Sequence, residues 1–159
     1  MKGNPMKRRF FLSALTAVLA LPSLTTVWAD SSSSHKMMVF KSPTCGCCGE
    51  WVKIMKDAGF ELTVRNVEEM DSIKKMASIP DEMQSCHTAK VGGYIVEGHV
   101  PVSTIKRLLS EKPDIRGISV PGMPFGSPGM GHNPNARYDV MTLPKNVSAK
   151  PEVYEKIGE

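Results

Sequence analysis

Met37-Met38-Val39-Phe40-Lys41-Ser42-Pro43-Thr44-Cys45-Gly46-Cys47-Cys48 runs from an apolar quartet, through a Ser-Pro-Thr break, into a cysteine-dense tetrapeptide. The quartet has the length and character of a buried strand. Ser42-Pro43-Thr44 stops that strand and opens a helix. From Glu50 onward, Trp51, Ile54, Met55 and Ala58 recur at helical spacing, and Gly59 stands where a C-cap glycine ends the element. The cysteines therefore fall between a strand and the first turn of a helix.

The same alternation continues outward. Leu62 to Val67 reads as a second strand, and Met70, Ile73 and Ala77 mark a second amphipathic helix stopped near Pro80. Val91 to Val96 and His99-Val100 flank Glu97-Gly98, which the spacing reads as a hairpin turn. Pro101 suits the first turn of a helix that carries Val102, Ile105, Leu108 and Leu109 inward, with Lys112-Pro113 after it. Strand, helix, strand, helix, hairpin, helix is an α/β layout, a small mixed sheet flanked by helices. Val120 to Pro134 is rich in Gly, Pro and Met and reads as a C-terminal loop. Tyr138 to Leu143 is expected as an edge strand. The domain is thus expected over residues 37–143, with a mobile tail at 144–159.

The amino terminus points to export. Lys7, Arg8 and Arg9 precede the apolar run Phe10 to Leu24, and Val27-Trp28-Ala29 offers small residues at a signal-peptidase site. Residues 1–29 are expected to be a signal peptide cleaved after Ala29, followed by a flexible polar leader at 30–36. The apolar run is shorter than the roughly 20 residues a spanning helix needs, so no membrane anchor is expected after cleavage. Arg8-Arg9-Phe10-Phe11-Leu12 also fits a twin-arginine signal, so either the general or the twin-arginine route leads to the periplasm. Cleavage removes four of the twenty Lys and Arg and none of the sixteen Asp and Glu, leaving sixteen of each. The exported chain is formally neutral, and the pI near 8.9 belongs to the precursor. Nucleic acid and anionic membranes are therefore not expected partners.

All four cysteines lie in the exported part, three of them within four residues. A framework of disulfides would spread its cysteines to staple distant loops, so the clustering indicates a site. Cys45 and Cys48 have C-x-x-C spacing at a helix start, where free backbone N–H groups and the helix dipole favour thiolate. The arrangement looks like a thioredoxin-type active site with an added thiol, Cys47. Residues i and i+3 share a helical face while neighbours diverge by roughly 100°. Cys45 and Cys48 are thus expected to grip one ion, with Cys47 directed aside to a second ion or to a bridge. Thiolates select soft Cu(I), so a multinuclear copper-thiolate cluster is the expectation. Ser85-Cys86-His87-Thr88 supplies the fourth sulfur.

Four blocks in this order resemble the periplasmic CopG-type copper-resistance proteins: Cys45-Gly46-Cys47-Cys48; Ser85-Cys86-His87-Thr88; Gly93-Tyr94 with Glu97-Gly98-His99-Val100-Pro101; and Val120-Pro121-Gly122-Met123-Pro124 with Gly126-Ser127-Pro128-Gly129-Met130. The resemblance covers roughly residues 37 to 143. It implies a thioredoxin-like domain, copper handling in bacterial metal resistance with the cysteines at the metal, and a periplasmic copper chaperone or efflux component as partner.

Further ligand candidates are His87, beside a cysteine, and Met123 and Met130, thioethers that each follow a Pro-Gly pair. Met55, Met70, Met76 and Trp51 are expected in the core, His99 as a strand or helix-start residue, and His35 and His132 in mobile contexts. Two enzyme readings stand beside copper sequestration. One is redox cycling of Cu(I) with Cu(II); the other is a thiol–disulfide oxidoreductase in which Cys45 attacks and Cys48 resolves. A structural zinc domain ranks lowest, because zinc ligands usually come as two separated pairs.

Overall fold

The computed structural model describes residues 35–159. The expected signal peptide at 1–29 and most of the expected leader at 30–36 lie outside the described residues. Strand β1 (Lys36–Lys41) leads into helix α1 (Gly46–Asp57), followed by β2 (Glu61–Asn66), α2 (Met70–Met76), β3 (His87–Val91), β4 (Tyr94–Glu97), α3 (Val102–Glu111), β5 (Ile115–Ser119), β6 (Tyr138–Pro144) and β7 (Val153–Ile157). The architecture is mixed α/β, with one seven-stranded sheet in the order β2-β1-β3-β4-β5-β6-β7. β1 and β2 run parallel, as do β4 and β5; the other neighbours are antiparallel. No helix among the described residues is long and apolar enough to cross a membrane.

Alternation along the central strands sorts the two faces of the sheet. Met37 and Val39 of β1 point inward while Met38 is exposed. They join Trp51 and Met55 of α1, Ile105 and Leu108 of α3, Val96, Ile118 and Val140 in the main core. The opposite face carries α2 and a smaller cluster of Ile79, Met83 and Leu143. Met76, expected in the core, is 76% exposed, because it sits in the last turn of a seven-residue helix whose buried side chain is Lys74.

Three boundaries differ from expectation, each for a local reason. The hairpin turn is Gly92-Gly93, both at positive φ (55° and 90°), the conformation a two-residue hairpin loop demands. Glu97-Gly98 instead ends β4 and begins the connection to α3. β5 was not expected, since Ile115-Arg116-Gly117-Ile118-Ser119 is short, centred on a glycine and carries little strand signal of its own. That glycine is required, since a Cβ there would meet the backbone of Ile95 on the neighbouring strand. The expected mobile tail is ordered: Val153–Ile157 pairs antiparallel with β6, so β7 takes the sheet edge and β6 is internal. Tyr154 anchors β7 to α3, its hydroxyl donating to Glu111 at 2.9 Å and its ring lying 4.6 Å from the Arg107 guanidinium.

Candidate metal centre

The centre forms where the head of α1 meets the segment entering β3. Cys45 is the N-cap of α1, in an extended conformation, and its sulfur accepts from the Cys48 N–H at 3.3 Å. This satisfies one of the orphan donors of the first turn, and no acidic residue stands in that turn. Cys48 is fully buried, whereas Cys45, Cys47 and Cys86 are half-buried.

Two expectations about these sulfurs are corrected. Cys45 and Cys48 are not free thiolates but a disulfide with Cα atoms 5.3 Å apart, a separation that C-x-x-C spacing at a helix start supplies. Cys47 does not turn aside: its Sγ is 3.5 Å from that of Cys45. Because Cys45 is a cap with extended backbone, helical angular spacing does not apply to it. Cys47 and Cys86 are free thiols.

Cys86 converges on the same point although it lies 38 residues beyond Cys48; the Cys48 sulfur is 3.9 Å from the Cys86 carbonyl oxygen. All four sulfurs lie within 4.8 Å of one another. The Cys86 segment is held from the far side of the sheet by Glu97, which is fully buried. Its carboxylate accepts from the Ser85 N–H at 2.8 Å, from Thr88 Oγ1 at 2.6 Å and from Lys74 Nζ at 2.5 Å. Burial pushes the Glu97 carboxyl up, opposed by the Lys74 ammonium and these hydrogen bonds. Gly98, at φ 73°, lets the chain turn here, since a Cβ would strike Ser85 and the Val120 carbonyl.

His99, expected only as an element-boundary residue, is completely buried and points at the centre. Its Nε2 is 2.8 Å from the Cys86 sulfur, and its Nδ1 is 2.7 Å from the Pro128 carbonyl oxygen. A carbonyl can only accept, so Nδ1 carries the proton and Nε2 presents a lone pair to the sulfur. The one sequence signal for this role was its place within Glu97-Gly98-His99-Val100-Pro101. His87 is also buried. Its Nδ1 is 3.5 Å from the Cys86 sulfur, and its Nε2 has no hydrogen-bond partner. Its ring lies 4.4 Å from Trp51 and meets His99 edge-on at 4.9 Å. Burial, reinforced by the nearby His99, lowers the His87 pKa to about 3, and burial lowers that of His99 as well. Burial, with the neighbouring Cys47 second, pushes the Cys86 thiol up to about 12.

The loop 120–134 braces both cysteine segments. Gly122 N–H donates to the Gln84 carbonyl at 2.9 Å, and Ser85 Oγ donates to the Gly122 carbonyl. Gly129 lies so close to α1 that a Cβ would be 2.7 Å from the Cys47 carbonyl oxygen and 3.0 Å from Trp51 N. Met123, beside Gly122, is 55% exposed, and Met130, beside Gly129, is half-buried.

A family model described as "Protein of unknown function, DUF411" matches residues 83–130, a span holding Cys86, both histidines of the centre and most of the bracing loop. No curated protein matches the chain. Two solved structures, titled "Copper resistance protein copG", Form 2 and Form 1, are each 36% identical with a TM-score of 0.70. The first covers 77% of this chain and 97% of its own, the second 78% and 98%. By that identity and that coverage, the chain belongs to the family of CopG copper resistance proteins.

Proposed function

We propose that the chain binds Cu(I) as cargo in copper resistance, through Cys45, Cys47, Cys48 and Cys86 acting as thiolates in a multinuclear site. The observation that carries this reading is the convergence of four cysteine sulfurs within 4.8 Å. Soft sulfur donors at a helix head with no carboxylate in its first turn fit a soft monovalent ion. Binding by all four requires the Cys45–Cys48 disulfide to take up two electrons and two protons, after which the thiols give up protons to the metal. His87, and Met123 and Met130 on the bracing loop, are further candidate ligands.

The reading extends to the periplasm, on the export features of residues 1–29, and to a thioredoxin-like class of fold. The latter is supported by the C-x-x-C at the head of α1 and the adjoining β3–β4 hairpin. A periplasmic copper chaperone or efflux component is the partner that fits this role, and cycling of the bound copper between Cu(I) and Cu(II) would be its redox activity.

Loading the reduced chain anaerobically with Cu(I) is expected to bind more than one equivalent. Cys45→Ser and Cys86→Ser should each lose most of it. Strict one-to-one binding defeats the cluster, and no binding defeats the copper reading. X-ray absorption on the loaded sample reports sulfur against nitrogen ligation. Unchanged affinity in Met123→Leu with Met130→Leu would remove the loop from the ligand set.

A second reading is favoured by the Cys45–Cys48 disulfide itself. In a thiol–disulfide oxidoreductase the more accessible Cys45 would attack and the buried Cys48 would resolve. Metal-free chain would then exchange with model dithiols at rates abolished by Cys45→Ser.

A further inference from the structure

Once Cys45 and Cys48 are bonded, two thiols remain in the centre. Their sulfurs belong to a set no more than 4.8 Å across, and Cys47 also lies 3.5 Å from a sulfur of the existing disulfide. Cys47 is half-buried on the first turn of a 12-residue helix. Cys86 comes from a separate segment, so a bond between them would cross-link α1 to the entry of β3. The gap remaining to a sulfur–sulfur bond of about 2.05 Å is of the order that side-chain rotation covers.

We infer that Cys47 and Cys86 form a second dithiol–disulfide pair, closed by a small-molecule disulfide, so that the fully oxidised centre holds two disulfides and can take up four electrons. Cys47 thiolate attacks one sulfur of the small disulfide, forming a mixed disulfide and releasing one small thiol. Cys86 then attacks the Cys47 sulfur, forming the Cys47–Cys86 bond and releasing the second small thiol, which carries away the remaining proton. The two cysteine sulfurs are oxidised and the small disulfide is reduced by two electrons. The consequence for metal rests on the copper reading above: with no thiolate left, the centre is closed to soft ions until a dithiol reopens it.

The test starts from metal-free chain and needs no copper. Chain exposed to excess oxidised glutathione is alkylated under denaturing conditions, and the added groups are counted by intact mass. Zero alkylated thiols and no glutathione adduct, on a monomer, are expected. Two alkylated thiols, or persistent glutathione adducts, would overturn the pair; exchange of Cys47 into the existing disulfide would also leave two. In the double variant Cys45→Ser with Cys48→Ser, where only Cys47 and Cys86 remain, treatment should remove two hydrogens from the intact mass and leave no thiol. In Cys47→Ser, Cys86 should stay as a free thiol or an adduct. If the double variant fails to fold, the count on the unaltered chain still decides. A last arm offers Cu(I) to the doubly oxidised chain: binding below a tenth of the reduced value is expected, restored by dithiothreitol. Failure of that arm alone would count against the copper gate and leave the disulfide pair standing.

Discussion

The Nε2 of His99 stands 2.8 Å from the sulfur of Cys86, with the opposite ring nitrogen committed to the Pro128 carbonyl at 2.7 Å. The ring is thereby fixed as an acceptor for the thiol proton of a cysteine that burial makes a reluctant acid. A hydrogen bond accepted from the thiol holds the proton on sulfur, so replacing the ring should release it more readily. In a Cys47→Ser background, His99→Leu is expected to speed iodoacetamide labelling of Cys86 severalfold. An unchanged labelling rate would mean that the contact is packing alone.

Acid should destabilise the fold through the two buried imidazoles. The His87 pKa is lowered from 6.5 to about 3 and that of His99 is lowered too. As pH falls below 6.5 the unfolded chain takes up protons that the folded chain refuses, so stability is lost progressively down to about pH 3. For His87 alone the full difference is on the order of 5 kcal/mol. Glu97, raised by burial, works in the opposite direction across the carboxylate range. Urea midpoints should drop between pH 7.5 and pH 5, and the His87→Asn variant should show a flatter dependence over that interval.

Removing one member of the Lys74–Glu97 pair strands the other, since their side chains are 6% and 0% exposed. Lys74→Met is expected to cost about 3–5 kcal/mol in urea unfolding. Combining it with Glu97→Leu should recover part of that loss. It will not recover all of it, because the Ser85 N–H and the Thr88 hydroxyl then lose their acceptor, at about 1–3 kcal/mol each. A double variant no better than Lys74→Met would show that the charges themselves are not the source of the cost.

Two glycines of the bracing loop offer a matched comparison. Gly129 and Gly122 both have positive φ, 86° and 65°, but only Gly129 abuts other atoms, while nothing lies near a Cβ at Gly122. Gly122→Ala should therefore cost about 1 kcal/mol from backbone strain alone. Gly129→Ala adds a clash with Cys47 and Trp51, so about 3 kcal/mol is expected, with faster labelling of Cys47. Equal unfolding midpoints would remove the loop–helix contact from the account.

The sequence disclosed the centre better than it disclosed the sheet. Local signals placed Met37–Phe40 in a strand, the cysteines at a helix start and Ile105, Leu108 and Leu109 on the buried side of α3. Each of these depends on neighbours a few residues apart. β5 and β7 depend on partners far along the chain, on Ile95 for Gly117 and on β6 and α3 for Tyr154, and a five-residue strand carries little periodicity of its own. The gathering of Cys86 with the other three sulfurs was readable from the cysteine count. Its geometry was not, because the extended N-cap conformation of Cys45 reverses the angular argument that assumed a helix. His99 escaped for a similar reason: its approach to Cys86 is set by a turn at Gly98 and by a loop carbonyl almost thirty residues away.

The loop from 120 to 134 touches both banks of the centre, Gln84 and Ser85 through Gly122, and α1 through Gly129. A proteolytic nick between those two glycines would sever no cysteine-bearing segment from the sheet. Yet it would release the strap that ties one bank to the other, and with it the Pro128 carbonyl that orients His99. The integrity of the thiol set is thus entrusted to a stretch of backbone that contains no cysteine, where damage would leave every sulfur in place while undoing their company.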